Sequence, residues 1–265
     1  MNDDMRKLAD NVITIAIAAS EKIMAVYSTE FDVNTKDDNT PVTKADMLAH
    51  HVIVNGLRQL TPDIPILSEE SGEIPYTERS TWSTYWLVDP LDGTREFVNR
   101  NGEFTVNIAL IKQHKPVLGI IYTPVTRICY YAAETLGAFK LDADNTLTRL
   151  KTRKKRNDPT VVAGSRSHQG ASLEGFLKKI GEHEIFGMGS SLKSCLVAEG
   201  KVDIYPRLGP TSEWDTAAAQ CIVEQAGGLL VDLAIQPLRY NTKDSLLNPH
   251  FIVIGDPEYD WGQHL

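Results

Sequence analysis

Apolar positions recur every three or four residues across 5–27, where Leu8, Val12, Ile13, Ile15, Ala16, Ile23 and Met24 are separated by polar residues. That spacing predicts an amphipathic helix. A second helix is predicted over 43–60, with Asp46 in its first turn or cap region, where a carboxylate meets the positive end of the helix dipole. Residues 31–41 between them are polar and read as a surface loop or short hairpin, with a mobile acidic lid as the alternative. The period then changes. Ile64-Pro65-Ile66-Leu67 predicts a strand that delivers Ser68-Glu69-Glu70-Ser71-Gly72. Trp86-Leu87-Val88 predicts a short buried strand running into Asp89-Pro90-Leu91-Asp92-Gly93-Thr94. Pro90 cannot donate to a ladder and Gly93 permits backbone that other residues resist, so the strand is expected to end at Asp89 and turn. Strand-like segments at 104–112, 116–122, 127–133 and 138–141, joined by short polar or Pro/Gly connections, predict an antiparallel sheet.

After a basic run at 151–156 the pattern alternates. Strands are predicted at 160–163, 185–188, 202–205, 228–231 and 251–254, and helices at 171–180, 190–199 and 213–226, the last ended by Gly227-Gly228. Alternation of this kind predicts α/β structure. Two lobes are therefore expected: 1–155, α+β with the antiparallel sheet, and 156–265, mixed α/β, with the basic run as the crossover between them.

Composition narrows the function classes. The chain has 265 residues, an ordinary 42% hydrophobic fraction and a net charge of −8. A length like this supports substantial cores. The negative balance argues against a protein that coats nucleic acid, while leaving room for a local basic pocket. The longest apolar run, 12–20, is too short to span a membrane, and the acidic N-terminus lacks a signal-peptide pattern. Cys129, Cys195 and Cys221 are odd in number and far apart, which suits a reduced, cytoplasmic setting with each thiol packed as a small hydrophobe.

The chemistry concentrates at 86–94. Asp89 and Asp92 share one small turn, and like charges held close call for a cation between them. Oxygen ligands select a hard ion such as Mg²⁺. Glu69-Glu70 at a strand end supply further carboxylates. Asp215, in the first turn of an Ala-rich helix, is either a helix-dipole device or the ligand that closes the cluster from the other lobe. Glu69, Asp89, Asp92 and Asp215 together can hold two or three Mg²⁺ ions that polarise phosphoryl oxygens and activate water. Thr94 can relay a proton from that water to Asp46, with Glu70 orienting the water. Haloacid-dehalogenase-type phosphatases use Asp-x-Asp-Gly-Thr, but Pro90 stands where their nucleophile would be, so attack by water is the consistent route. A cation cluster needs an anionic substrate. Ser165-Arg166-Ser167-His168, Ser190-Ser191-Leu192-Lys193 and Arg207 supply donors, although alone Ser190 reads as a cap, Lys193 as surface and Arg207 as a surface pair.

The stretch 87–94, with Glu69-Glu70 upstream and Glu213-Trp214-Asp215-Thr216-Ala217-Ala218 downstream, resembles the two signatures of the inositol monophosphatase superfamily. Segments 86–110, 65–70, 189–200 and 205–218 look most like its bacterial 3′(2′),5′-bisphosphate nucleotidases. The resemblance runs from Val12 to about Phe251, with least at 142–160 and at the tail. It implies a layered αβαβα fold and a cytoplasmic, lithium-sensitive enzyme of sulfate assimilation. The implied reaction removes the 3′-phosphate of adenosine 3′,5′-bisphosphate to give AMP, with 3′-phosphoadenylyl sulfate as a second substrate. It implies that Glu69, Asp89 and the Leu91 carbonyl bind one metal, and Asp89, Asp92 and Asp215 a second. Thr94 with Asp46 would activate water. The substrate would lie against Glu69, Leu91, Asp92, Gly93, Thr94 and Asp215, with His168, Ser190, Lys193 and Arg207 holding the nucleotide. The loop 208–213 is shorter than in yeast-type relatives. An inositol or sugar monophosphatase and a non-catalytic nucleotide sensor are the alternatives. Lys193 and Arg207, paired for a second phosphate, weigh against the first, and the complete acid set weighs against the second. No nucleic-acid partner is expected. Peripheral contact with the cytoplasmic face of the inner membrane stays open.

Overall fold

The computed structural model describes residues 2–29, 41–164 and 171–265. The loop expected at 31–41 falls almost entirely outside them. Helices α1 (Asn2–Tyr27) and α2 (Pro41–Leu60) pair antiparallel and cover one face of a seven-stranded sheet. That sheet runs in order β1 (Ile66–Ser68), β2 (Thr84–Asp92), β3 (Thr105–Lys112), β4 (Lys115–Thr123), β5 (Ile128–Ala133), β6 (Gly137–Leu141) and β7 (Leu147–Arg149). Two short helices, α3 (Tyr76–Arg79) and α4 (Thr94–Val98), interrupt it. The second sheet contains β8 (Thr160–Gly164), β9 (His183–Gly187), β10 (Ile204–Arg207), β11 (Leu229–Asp232) and β12 (Phe251–Ile254), in spatial order β11-β12-β10-β8-β9. Between the sheets lie α6 (Leu192–Ala198) and α7 (Glu213–Ala226), while α5 (Ala171–Ile180) and a closing 3₁₀ turn (Trp261–His264) cover the far face. The layers are thus αβαβα.

Burial explains the layering. Odd positions of β2 and β3 (Tyr85, Leu87, Ala109, Ile111) pack with α6 and α7, and even positions (Trp86, Val88, Ile108, Leu110) pack with α1 and α2. Both faces of these strands are covered, so their sequences read as continuous apolar runs rather than alternating ones. At Gly119 in β4 an added Cβ would lie 2.4 Å from the Ala218 carbonyl oxygen, so α7 rests directly on the strand backbone.

Several expectations are corrected. The first sheet is antiparallel from β2 to β7, but β1 pairs with β2 in parallel. Strand β2 does not end at Asp89; it continues to Asp92. Pro90 is tolerated because β1 has already stopped opposite Val88, leaving no partner on that side. Helix α2 begins at Pro41, which places Asp46 in its second turn rather than at its cap. Arg207 ends β10 instead of following it, and α6 is shorter than the predicted 190–199. α3, α4 and β7 were not predicted, being too short to show a period.

Candidate metal and phosphate site

Two ladder positions bracket the acidic turn: Asp89 pairs with Asn107 and Asp92 with Thr105. Three steps along β2 therefore match two along β3, which is a β-bulge. In a regular strand, residues three apart point to opposite faces. The extra residue reverses the alternation, sending Leu91 into the α1/α2 core and bringing Asp92 to the same inner face as Asp89. The Leu91 amide donates to Asp89 Oδ1 at 3.0 Å and holds the turn. Gly93 follows at φ 94°, a left-handed backbone that a Cβ would strain, and Thr94, exposed, opens α4.

Asp215 comes from the opposite layer. It sits in the first turn of α7, and its Oδ2 accepts the Ser212 amide at 2.9 Å. Loop 240–248 steadies this helix start: the Asn241 amide donates to Glu213 Oε2 and Asn248 Nδ2 donates to the Ser212 carbonyl, each at 2.8 Å. One carboxylate oxygen each from Asp89, Asp92 and Asp215 lies within 4.8 Å of the others.

The electrostatics of this cluster are unfavourable for bare carboxylates. Asp89 is 1% exposed, and burial followed by Asp92, Glu69, Asp215 and Asp46 drives its carboxyl well above the ordinary range. Burial, then Asp92, pushes Asp215 up to about 7. Glu69, exposed at the mouth, is raised by partial desolvation and by Glu70 and Asp92. Every charged neighbour raising Asp89 is itself acidic. A partly buried all-oxygen set with this excess of negative charge fits a hard cation.

Asp92 is held by groups that the sequence reading missed. Its Oδ2 accepts the Ser191 amide (2.7 Å), the Ser191 hydroxyl (2.6 Å) and Asn107 Nδ2 (3.3 Å). Thr105 and Asn107 were discoverable in principle, being polar at alternate positions of an otherwise apolar strand.

Asp46 is 5% exposed, with Oδ1 buried and unpartnered, and burial, then Glu70 and Glu69, raise its carboxyl to about 8. Glu70 and Glu69 are the acids that act on it, and no hydrogen bond joins it to Thr94 among the described residues.

The cluster opens onto a cavity of about 530 Å³. Asp92, Gly93 and Asp215 line it together with Ser190, Lys193 and Arg207, beside Tyr205, Leu208 and Phe251. Lys193 is buried, not a surface residue. Its amine donates to the Ser190 carbonyl at 2.8 Å and lies 5.3 Å from the centre of the Tyr205 ring. Burial lowers its pKa, against the pull of Asp92. Arg207 is half-buried, with Nε donating to Thr211 Oγ1 at 2.7 Å. Ser190 sits at φ 41° with its hydroxyl buried and unpartnered. His168 lies outside the described residues, with the rest of 165–170.

The model of the inositol monophosphatase family matches residues 4–255. The chain belongs to that family. It is 49% identical over 248 residues to the 3′(2′),5′-bisphosphate nucleotidase CysQ of Escherichia coli O6:H1, covering 93% of this chain and 99% of that protein. Identity to the Haemophilus influenzae CysQ is 40% over 255 residues, covering 96% and 95%. The crystal structure of CysQ from Bacteroides thetaiotaomicron, described as a bacterial member of the inositol monophosphatase family, superposes with a TM-score of 0.86 at 42% identity, covering 95% of this chain and 98% of that one. An inositol monophosphatase from Zymomonas mobilis gives 0.77 at 26% identity, covering 99% and 96%. The inositol monophosphatase family is metal-dependent, and Asp89, Asp92 and Asp215 form such an acidic cluster here. No helix among the described residues is long and apolar enough to cross a membrane.

Proposed function

We propose that this chain is a Mg²⁺-dependent 3′(2′),5′-bisphosphate nucleotidase that converts adenosine 3′,5′-bisphosphate to AMP and phosphate and also accepts 3′-phosphoadenylyl sulfate. The observation that carries the reading is a single cavity lined both by Asp92 and Asp215 of the acidic cluster and by the cations Lys193 and Arg207. The acids suit the phosphate that reacts, and the cations a phosphate that only binds. Glu69, Asp89, Asp92, Asp215 and the Leu91 carbonyl would hold two or three Mg²⁺ ions. These ions supply charge neutralisation at the phosphoryl oxygens and a more acidic water.

The chain's own groups do the rest. Asp92, fixed by Ser191, keeps the acidic wall rigid. Thr94 passes the proton of the attacking water to Asp46, a buried carboxylate beside Glu70 and Glu69. Glu70, which acts on Asp46, orients that water. The water oxygen bonds to phosphorus as its proton passes to Asp46, the P–O3′ bond breaks, and the 3′ oxygen takes a proton from solvent while Asp46 returns its own, so that one water is added across the bond. Gly93, Ser190, Lys193, Arg207 and His168 hold the nucleotide. The buried free thiols suit a cytoplasmic setting.

The test is phosphate release in Mg²⁺ from adenosine 3′,5′-bisphosphate, 3′-phosphoadenylyl sulfate and inositol 1-phosphate, with and without Li⁺. The bisphosphate should be preferred, Li⁺ should inhibit, and Asp89→Asn should lower kcat more than about 100-fold while the protein stays folded. Faster turnover of inositol 1-phosphate, or retained activity in the Asn variant, would overturn the reading.

A further inference from the structure

Helix α2 presents a second polar side chain beside the acidic site. His50 lies four residues after Asp46 and so shares its face. It is only 9% exposed. Its Nδ1 is hydrogen-bonded to Ser68 Oγ at 2.9 Å, and Ser68 is 2% exposed. His51 (rings 5.4 Å apart), Arg58 and Glu70 are the charged or titratable neighbours that act on it.

The position of Ser68 gives this bond its meaning. It is the last residue of β1 and immediately precedes Glu69 and Glu70. Strand β1 is a three-residue edge strand whose pairing with β2 ends at Ser68 opposite Val88. Beyond that point the backbone is held by the Glu69 amide on the Val88 carbonyl (3.0 Å) and by the turn from Ser71 to Ser68 (2.9 Å). Ladder support therefore runs out where two carboxylates must be placed. The His50–Ser68 bond ties this strand end to α2, one turn from Asp46.

We infer that His50 is a positioning residue for the cation site: acting through Ser68, it sets the height of Glu69 and Glu70 against α2, and so tunes cation affinity. The inference rests on the metal reading above. A histidine that only fills space would affect stability alone. One that positions Glu69 changes how tightly a divalent ion binds while leaving Ser190, Lys193 and Arg207, the proposed nucleotide contacts in the cavity, untouched.

The experiment is calorimetric Mg²⁺ titration of the wild type, His50→Ala, His50→Asn, His50→Gln, Ser68→Ala and the His50→Ala/Ser68→Ala double variant, with KM measured at saturating Mg²⁺. Removing either partner should weaken Mg²⁺ binding about 10–100-fold. The double variant should be no worse than the weaker single one, since both remove the same bond. Asn, whose amide reaches the Nδ1 position, should recover binding to within about threefold of wild type, and Gln should not. KM for adenosine 3′,5′-bisphosphate should stay unchanged throughout. Wild-type Mg²⁺ affinity in His50→Ala, additive losses in the double variant, or no rescue by Asn would each overturn the inference. Should His50→Ala fail to fold, Ser68→Ala carries the same comparison. A wild type that takes up no Mg²⁺ would overturn the metal reading itself, a result separable from the others.

Discussion

Ser191 joins three segments at a single hydroxyl. It accepts Asn107 Nδ2 at 2.9 Å and lies 2.6 Å from Asp92 Oδ2 and 3.0 Å from the Asp215 carbonyl. Its amide also donates to Asp92, so the backbone fixes the carboxylate's place and the hydroxyl fixes its orientation. Ser191→Ala keeps the first and loses the second. It leaves Asn107 Nδ2 with only the longer contact to Asp92, at 3.3 Å. Urea unfolding should show a loss of about 1–3 kcal/mol. The Mg²⁺ concentration for half-maximal activity should rise about 10-fold with KM for nucleotide little changed. An unchanged Mg²⁺ requirement would mean that Asp92 needs no such clamp.

At the scale of elements, the site is where a bulged strand meets the start of a helix. The bulge in β2 aims Asp89 and Asp92 the same way, and the close seat of α7 on β4 brings Asp215 to them. Gly119 makes that seat possible, because any side chain there meets the Ala218 backbone. Gly119→Ala should cost about 1–3 kcal/mol through overpacking. Since Ala218 is three residues beyond Asp215, the shift that relieves the clash should also weaken Mg²⁺ binding. Thermal unfolding and Mg²⁺ titration of the same variant read both effects. A loss of stability with unaltered Mg²⁺ affinity would show that Asp215 is held by loop 240–248 instead.

Over the whole molecule, the acidic cluster trades stability for binding. Asp46 at about 8, Asp215 at about 7 and the raised Glu69 and Asp89 all keep protons in the folded protein that the unfolded chain releases near its ordinary carboxylate pKa. The folded state therefore binds more protons over that range, and stability falls as pH rises through about 7 to 8. In chelator, Tm should decline between about pH 5 and pH 8. Mg²⁺ should raise Tm, and by more at pH 8 than at pH 5, because the ion replaces the protons. Glu213, raised to about 7 by burial and remote from any ligand role, should leave a residual decline that Mg²⁺ does not remove. A metal-free Tm that is flat or rises with pH would contradict the electrostatic account of the cluster.

What the sequence determined by itself was local. Spacing of apolar residues yielded the long helices and most strands, since both periods are written in contiguous residues. The acids at 89, 92 and 215, which the structure brings together, were legible because the residue types and the turn around Pro90 carry the chemistry. Tertiary structure decided how they meet. The bulge that turns Asp92 inward depends on the register of β3, which no property of residues 86–94 reveals. The clamp from Ser191 and Asn107 joins residues 84 apart, and the tie from His50 joins α2 to a strand end 18 residues on. Lys193, readable as a surface cation, lies buried against Tyr205 because α6 is wedged between two sheets. Register and burial are set by partner segments, so they emerge only when the layers pack.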